Sequence, residues 1–178
     1  VLPTTADSII LEKGTSSGAE NYGLSLSQGA GGTAEINFAW YNGGFNFVTS
    51  NGAGIQAGQF YHVAATADGS IVRLYLDGEL IHEEAQSSPL IPNNGPLYIG
   101  SNEGSSFGNR MQGRIDELAI YNEPLPATSI AAIHALNGSG KQGAVVYGNI
   151  IGLNSAGDAG LGNGLNGIEI LNSPGNLI

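Results

Sequence analysis

Apolar and polar residues alternate with a period of two in several short runs of this chain. Val72, Leu74 and Leu76 alternate with Arg73, Tyr75 and Asp77, the pattern of a strand with one buried face. Asp77-Gly78 supplies the positive φ angles of a tight hairpin turn, and Leu80-Ile81 begins the return strand. A second hairpin is predicted around Asn42-Gly-Gly44. Before it Ile36, Phe38 and Trp40 share one face, and after it Phe45-Asn-Phe-Val48 runs back. Ser8–Lys13 reads as a short strand, and Tyr22–Ser27 as another with Leu24 and Leu26 inward. Ile55–Phe60 leads into a His62–Thr66 strand, which the Asp68-Gly69 turn hands to the central hairpin. Pro89, Pro92 and Pro96 mark Glu83–Pro96 as a loop, because proline cannot donate to a ladder. Gly104–Gly113 is a second polar loop. Leu125–Gly138 is the single credible helix, with an Ala-rich interior, a terminal Gly, and Thr128 or Ser129 as candidate caps.

Four pieces occur in a fixed order: Gln59-Phe-Tyr-His-Val-Ala-Ala-Thr-Ala-Asp-Gly-Ser, Leu74-Tyr-Leu-Asp-Gly78, Leu97-Tyr-Ile-Gly100 and Gly113-Arg-Ile-Asp-Glu-Leu-Ala-Ile-Tyr-Asn-Glu-Pro-Leu125. Together they resemble the laminin-G-like, concanavalin A-type jelly-roll family. The resemblance implies an antiparallel jelly-roll β-sandwich over residues 1–138, closed by a Gly113–Leu125 strand and a short helix. In that family an Ile-Leu-x-Lys-Gly strand like the one ending at Lys13-Gly14 follows earlier strands, and these are not in this chain. Either the fold is abbreviated or something else fills their place; with no signal peptide and Val1 in place of an initiator Met, the sequence is expected to be a mature segment of something longer.

After Gly138 the composition changes. Residues 142–178 carry Asp158 and Glu169 as their only charges, among many Gly and Asn. Tyr147-Gly-Asn-Ile-Ile-Gly152 is echoed by Pro174-Gly-Asn-Leu-Ile178, with Asn163-Gly-Leu-Asn-Gly-Ile-Glu-Ile170 between them. This resembles the Gly/Asn-rich repeats of bacterial right-handed parallel β-helices, and residues 139–178 are expected to form one such coil. The competing reading is a disordered Gly-rich tail, which the regular Ile spacing disfavours.

Composition narrows the function classes. The 178 residues include 29 Gly and 11% charged residues, which fits β architecture with many tight turns. The net charge of −10, with five Lys or Arg in all, repels phosphate backbones and excludes nucleic acid as a natural partner. No apolar run reaches the roughly 20 residues of a membrane-spanning helix, so membrane insertion is not expected. Cys is absent, which removes disulfides, thiolate metal sites and a Cys nucleophile.

The chemistry-bearing residues are few. On a strand, Asp116 and Glu117 would point to opposite faces and could not work as an acid–base pair. Asp116 would share a face with Leu118 and Ile120, where an ionised carboxylate needs a partner. The family resemblance implies a Ca2+ there as one possibility; an Asp bonded to loop amides is the other. His82-Glu83-Glu84 lacks the i, i+4 histidine pair of a zinc protease helix and reads as a solvated strand end. His62 is expected to be a packed residue, and His134 an exposed one on the helix. There is no Gly-x-Ser-x-Gly elbow, no phosphate loop and no glucanase-type carboxylate array, so catalysis is not expected.

Trp40, Tyr41, Phe45 and Phe47 form the densest aromatic cluster. Alternation sends Trp40 inward with Ile36 and Phe38 and leaves Tyr41 as the better ligand candidate. Trp40, Asn102 and Asn109 complete the ligand-binding set considered. The sequence thus reads as a non-catalytic adhesion or carbohydrate-binding module of a large extracellular or cell-surface repeat protein of bacterial type, whose partner is a glycan or a matrix protein. The rival is a structural subunit that assembles into homo-oligomers or filaments by strand or coil exchange.

Overall fold

The computed structural model describes residues 8–14, 21–102 and 110–138. The expected β-helix coil over 139–178 and the candidate Asn109 lie outside these residues. The chain divides into two compact units, Val1–His134 and Ala135–Ile178, and all packing described below lies within the first.

Eight strands and one helix follow in order: β1 Ser8–Lys13, β2 Tyr22–Gln28, β3 Ala34–Tyr41, β4 Phe45–Thr49, β5 Val63–Ala67, β6 Ile71–Leu76, β7 Glu79–Ala85, β8 Leu97–Ile99 and α1 Ala127–Gly138. They form a five-stranded sheet A, ordered β4-β3-β2-β1-β8, and a three-stranded sheet B, ordered β5-β6-β7. Every strand pair is antiparallel. The two sheets make the expected all-β sandwich with one short helix.

The core lies between the sheets. Sheet A contributes Leu11, Leu24, Leu26, Ile36, Phe38, Trp40 and Val48; sheet B contributes Val72 and Leu74. The inward residues named from alternation on β2, β3 and β6 are in this cluster, apart from Leu76, which is partly buried against it. Turns take the residues their geometry demands. Asp77 and Gly78 have φ of 50° and 84°, the left-handed pair of a type I′ hairpin turn. Glu35 fixes the stretch after β4: its carboxylate accepts from Ser50 Oγ at 2.6 Å, Ala53 N at 2.9 Å and Gly52 N at 3.1 Å.

Helix α1 docks on the outer face of sheet B. His62 pairs with Asp77 across the ladder, one step out of phase with the inward Val63↔Leu76 pair, so its ring points outward. There it meets His134, with ring centroids 5.7 Å apart. The helix comes so close to the β6–β7 turn that a Cβ on Gly78 would stand 3.1 Å from His134 Cβ and Nδ1 and 3.2 Å from Ala131 Cα. Ile130 on α1 (4% exposed) and the outward-facing Tyr75 (1%) are both buried.

Three expectations are corrected. Gly113–Leu125 forms no strand: the segment is irregular, and Glu117 sits at φ 50°, which interrupts an extended run. Strand β7 continues to Ala85, past the point where a loop was expected. Neither Thr128 nor Ser129 lies ahead of α1. The first helical bonds run from Ser129 N and Ile130 N to the Pro126 carbonyl, so both residues sit inside the first turn.

Candidate functional site

The β3–β4 hairpin carries the candidate site, and its three-residue loop decides which rings point where. Asn42-Gly43-Gly44 closes with Asn42 N donating to Gly44 O at 3.0 Å, which sets Tyr41 opposite Phe45 and Ala39 opposite Phe47. Directly opposed residues share a face. Tyr41, Phe45 and Phe47 therefore stand together on the outer face of sheet A. Tyr41 and Phe45 meet edge to face, with centroids 5.3 Å apart and planes at 78°. Phe45 is 56% exposed and Phe47 66%. Burying rings of this size is a main source of binding energy, so leaving two of them in water is a cost the fold does not require.

The rest of this face is small or polar. From Phe47 inward the row runs through Ala39, Gly23 and Glu12 to Tyr98. The next row holds Thr49, Asn37 and Ser25. Thr49 Oγ1 donates to Asn37 Oδ1 at 2.8 Å, and Asn37 Nδ2 donates to Ser25 Oγ at 3.3 Å. Asn37, Ser25 and Glu12 are buried, whereas Thr49 and Ala39 are half-buried. The accessible surface is thus an aromatic end, Tyr41–Phe45–Phe47, bordered by Ala39 and Thr49. It offers apolar ring faces, a phenol and a hydroxyl; the described cation on this face, Arg110, bridges to Ile9 at the far end of the Thr49–Asn37–Ser25 row.

The other candidates separate from this end. Trp40 is 1% exposed in the core, and its indole N–H donates to both Ser88 O and Ser88 Oγ at 3.0 Å. Its ring is unavailable to a ligand bound on the outer face. Asn102 follows β8 at the opposite end of sheet A: β8 pairs through Leu11↔Ile99, and Gly100 N donates to Ile10 O at 2.8 Å. Asn102 and Tyr41 therefore cannot contact one small ligand together. Asp116 is exposed rather than set on an apolar face, and its Oδ1 accepts from Glu117 N at 3.0 Å. Among the described residues no three His, Asp or Glu side chains gather at metal-ligand spacing. A Ca2+ at Asp116 would have to draw most of its oxygen shell from backbone carbonyls and water.

Two charged clusters lie on sheet B. Asp68 accepts from Arg73 Nη1 at 2.8 Å and from Ser70 N and Ile71 N at 2.9 and 2.8 Å. The Arg73 hydrogen bond, helped by the two amides, holds its carboxyl down to about 2. Arg73 Nε also reaches Glu83 at 3.2 Å. At the hairpin end His62 N donates to Asp77 Oδ1 at 2.8 Å, and His134 Nε2 lies 4.0 Å from the same oxygen. Burial, then the nearby His134, push the His62 imidazole below its ordinary value against a smaller opposing pull from Asp77.

A two-sheet antiparallel sandwich with an aromatic patch on one outer face places the chain in the class of β-sandwich domains. The family assignment agrees with that class: residues 2–131 match the family model described as the concanavalin A-like lectin/glucanases superfamily, and the chain belongs to that family. No curated protein matches the sequence. Among solved structures, a segment (residues 221–444) of an S-layer domain-containing protein from Clostridium thermocellum is similar at 25% identity with a TM-score of 0.42. The match covers 75% of this chain and 65% of that one.

Proposed function

We propose that this chain is a non-catalytic adhesion or carbohydrate-binding module of a secreted or cell-surface protein, with its ligand seated on Tyr41, Phe45 and Phe47. The observation that carries this reading is the exposure of two large aromatic rings beside Tyr41 on one rigid hairpin. Ring faces stack on the apolar faces of sugars, while the Tyr41 phenol and the Thr49 hydroxyl supply hydrogen bonds at the border. The net charge of −10, and the position of Arg110 at the far side of the sheet from Tyr41, Phe45 and Phe47, favour an uncharged glycan over an acidic one. Membership in a superfamily described by lectins and glucanases supports carbohydrate as the ligand class.

Calorimetric titration with a panel of neutral oligosaccharides tests it. Phe47→Ala should weaken binding by about two- to tenfold, the loss of one aromatic contact, while leaving the melting temperature unchanged. Equal affinity of wild type and Phe47→Ala, or no binding to any member of the panel, would remove the site. Melts with Ca2+ and with chelator address the metal at Asp116 in the same samples.

A second reading, a self-assembling structural subunit, draws on a different observation: Leu97 and Ile99 on the short strand β8 are exposed at the rim of sheet A. Light scattering separates the two. A species near 18.2 kDa sinks the filament reading, and ligand-independent growth supports it.

A further inference from the structure

We infer that His62 and His134 form a pH-sensitive latch, which holds α1 on sheet B while at least one imidazole is neutral and releases it when both are protonated. The geometry comes first. The rings are 5.7 Å apart and tilted by 30°, one on the strand side and one on the helix, so the pair spans the joint itself. His134 presses on the hairpin turn at Gly78, where the gap cannot accept even a methyl group without displacement. At this point of contact the helix has no room to approach the turn more closely.

Three titratable groups meet there, one from each element: His62 ahead of β5, Asp77 on the β6–β7 turn and His134 on α1. Asp77 lies between the two histidines, 4.0 Å from His134 Nε2 and hydrogen-bonded to the His62 backbone N–H. One carboxylate balances one imidazolium. A second proton leaves a net positive, partly desolvated cluster, and His62 Nδ1 is buried with no hydrogen-bond partner to receive it. Burial, then His134, lower the His62 imidazole, and Asp77 opposes them.

The sign follows from linkage. A base whose folded value lies below its free value binds fewer protons docked than released. Docking is therefore fully supported above about pH 6.5 and weakens as pH falls through the region between the free and docked values.

Amide hydrogen exchange of the intact 178-residue chain, corrected for intrinsic rates and followed between about pH 7.5 and 5, tests the latch. Protection of the α1 amides should fall by up to about tenfold per pH unit, the limit for one proton, while the β2–β3 amides keep theirs. His62→Phe should abolish that dependence, and His82→Asn, which alters a histidine on β7 beside Glu84, should preserve it. Protection of α1 that does not change with pH, or a dependence that survives His62→Phe, would overturn the proposal. Should His62→Phe fail to fold, ring titration by NMR in the wild type decides. The latch requires two coupled steps with the second displaced to low pH, and two independent single-site curves would refute it.

Discussion

Replacing Gly78 by Ala isolates the docking of α1 from the cost of its backbone angle, because the same fold contains a matched control. Gly78 has φ 84° and Gly69 has φ 86°, and both sit in hairpin turns of sheet B. An L-residue in the left-handed region costs about 1–2 kcal/mol at either position. The reduced freedom of the unfolded chain offsets about 0.4–1 kcal/mol of this, equally in the two variants. Only the surroundings differ. A Cβ at Gly69 meets nothing within 4 Å, whereas one at Gly78 meets His134 Cβ and Nδ1 at 3.1 Å and the helix backbone at Ala131 Cα at 3.2 Å. Those neighbours belong to α1 and yield only if the helix shifts by a few tenths of an ångström, an overpacking penalty of about 1–3 kcal/mol. Gly69→Ala should therefore destabilise by about 1 kcal/mol and Gly78→Ala by about 2–4 kcal/mol. Urea unfolding followed by circular dichroism measures both, with equal slopes required for the comparison. Equal losses at the two glycines would mean that α1 does not bear on the turn, and the latch would lose its mechanical basis.

Two further predictions follow from single contacts. Trp40→Phe removes an indole N–H that donates to Ser88 O and Oγ and leaves a void in the core. It should cost about 2–3 kcal/mol in the same assay, and a loss below about 0.5 kcal/mol would show that the 86–89 connection is not held through Trp40. Arg73→Ala should raise the Asp68 carboxyl from about 2 toward its ordinary value, read by NMR titration. Because that folded value is depressed, the contribution of Asp68 is present above about pH 4 and is lost as pH falls toward 2; in Arg73→Ala this acid-sensitive part should shrink, and an unchanged Asp68 titration would count against the ion pair.

The hairpins were legible because their chemistry is local. A loop of known length between two alternating runs fixes register, and register fixes faces. The separation of Trp40 from Tyr41 followed from period two alone. The same reasoning places Phe45 and Phe47 with Tyr41: three loop residues set Tyr41 opposite Phe45. That step is available in the sequence, but it requires the loop to be counted before the faces are assigned. The Gly113–Leu125 segment shows the opposite case. Its alternation promises a strand, yet a strand forms only where a neighbour's backbone meets it, and pairing partners are not written in the segment itself. Asp116 accordingly lies exposed instead of on an apolar face. Tyr75 was assigned outward correctly by period two. Its burial (1% exposed) could not be read there, because alternation names a face and not what covers it.

One hairpin thus divides its labour by face. On β3, Ile36, Phe38 and Trp40 serve the core, and Tyr41 next to Trp40 turns to the outside. On β4, Val48 is buried while Phe45 and Phe47 are not. Adjacent residues on a strand cannot exchange roles without a slip of one register position, which would carry Trp40 into water and Tyr41 into the core. The Trp40–Ser88 bonds and the Glu35 anchor oppose such a slip from the two ends of β3. It follows that changes at Phe47 and Tyr41 should alter recognition at nearly constant stability, whereas changes at Trp40 should alter stability first. A binding defect from Trp40→Phe that exceeded its loss of folded protein would break this division and return Trp40 to the site.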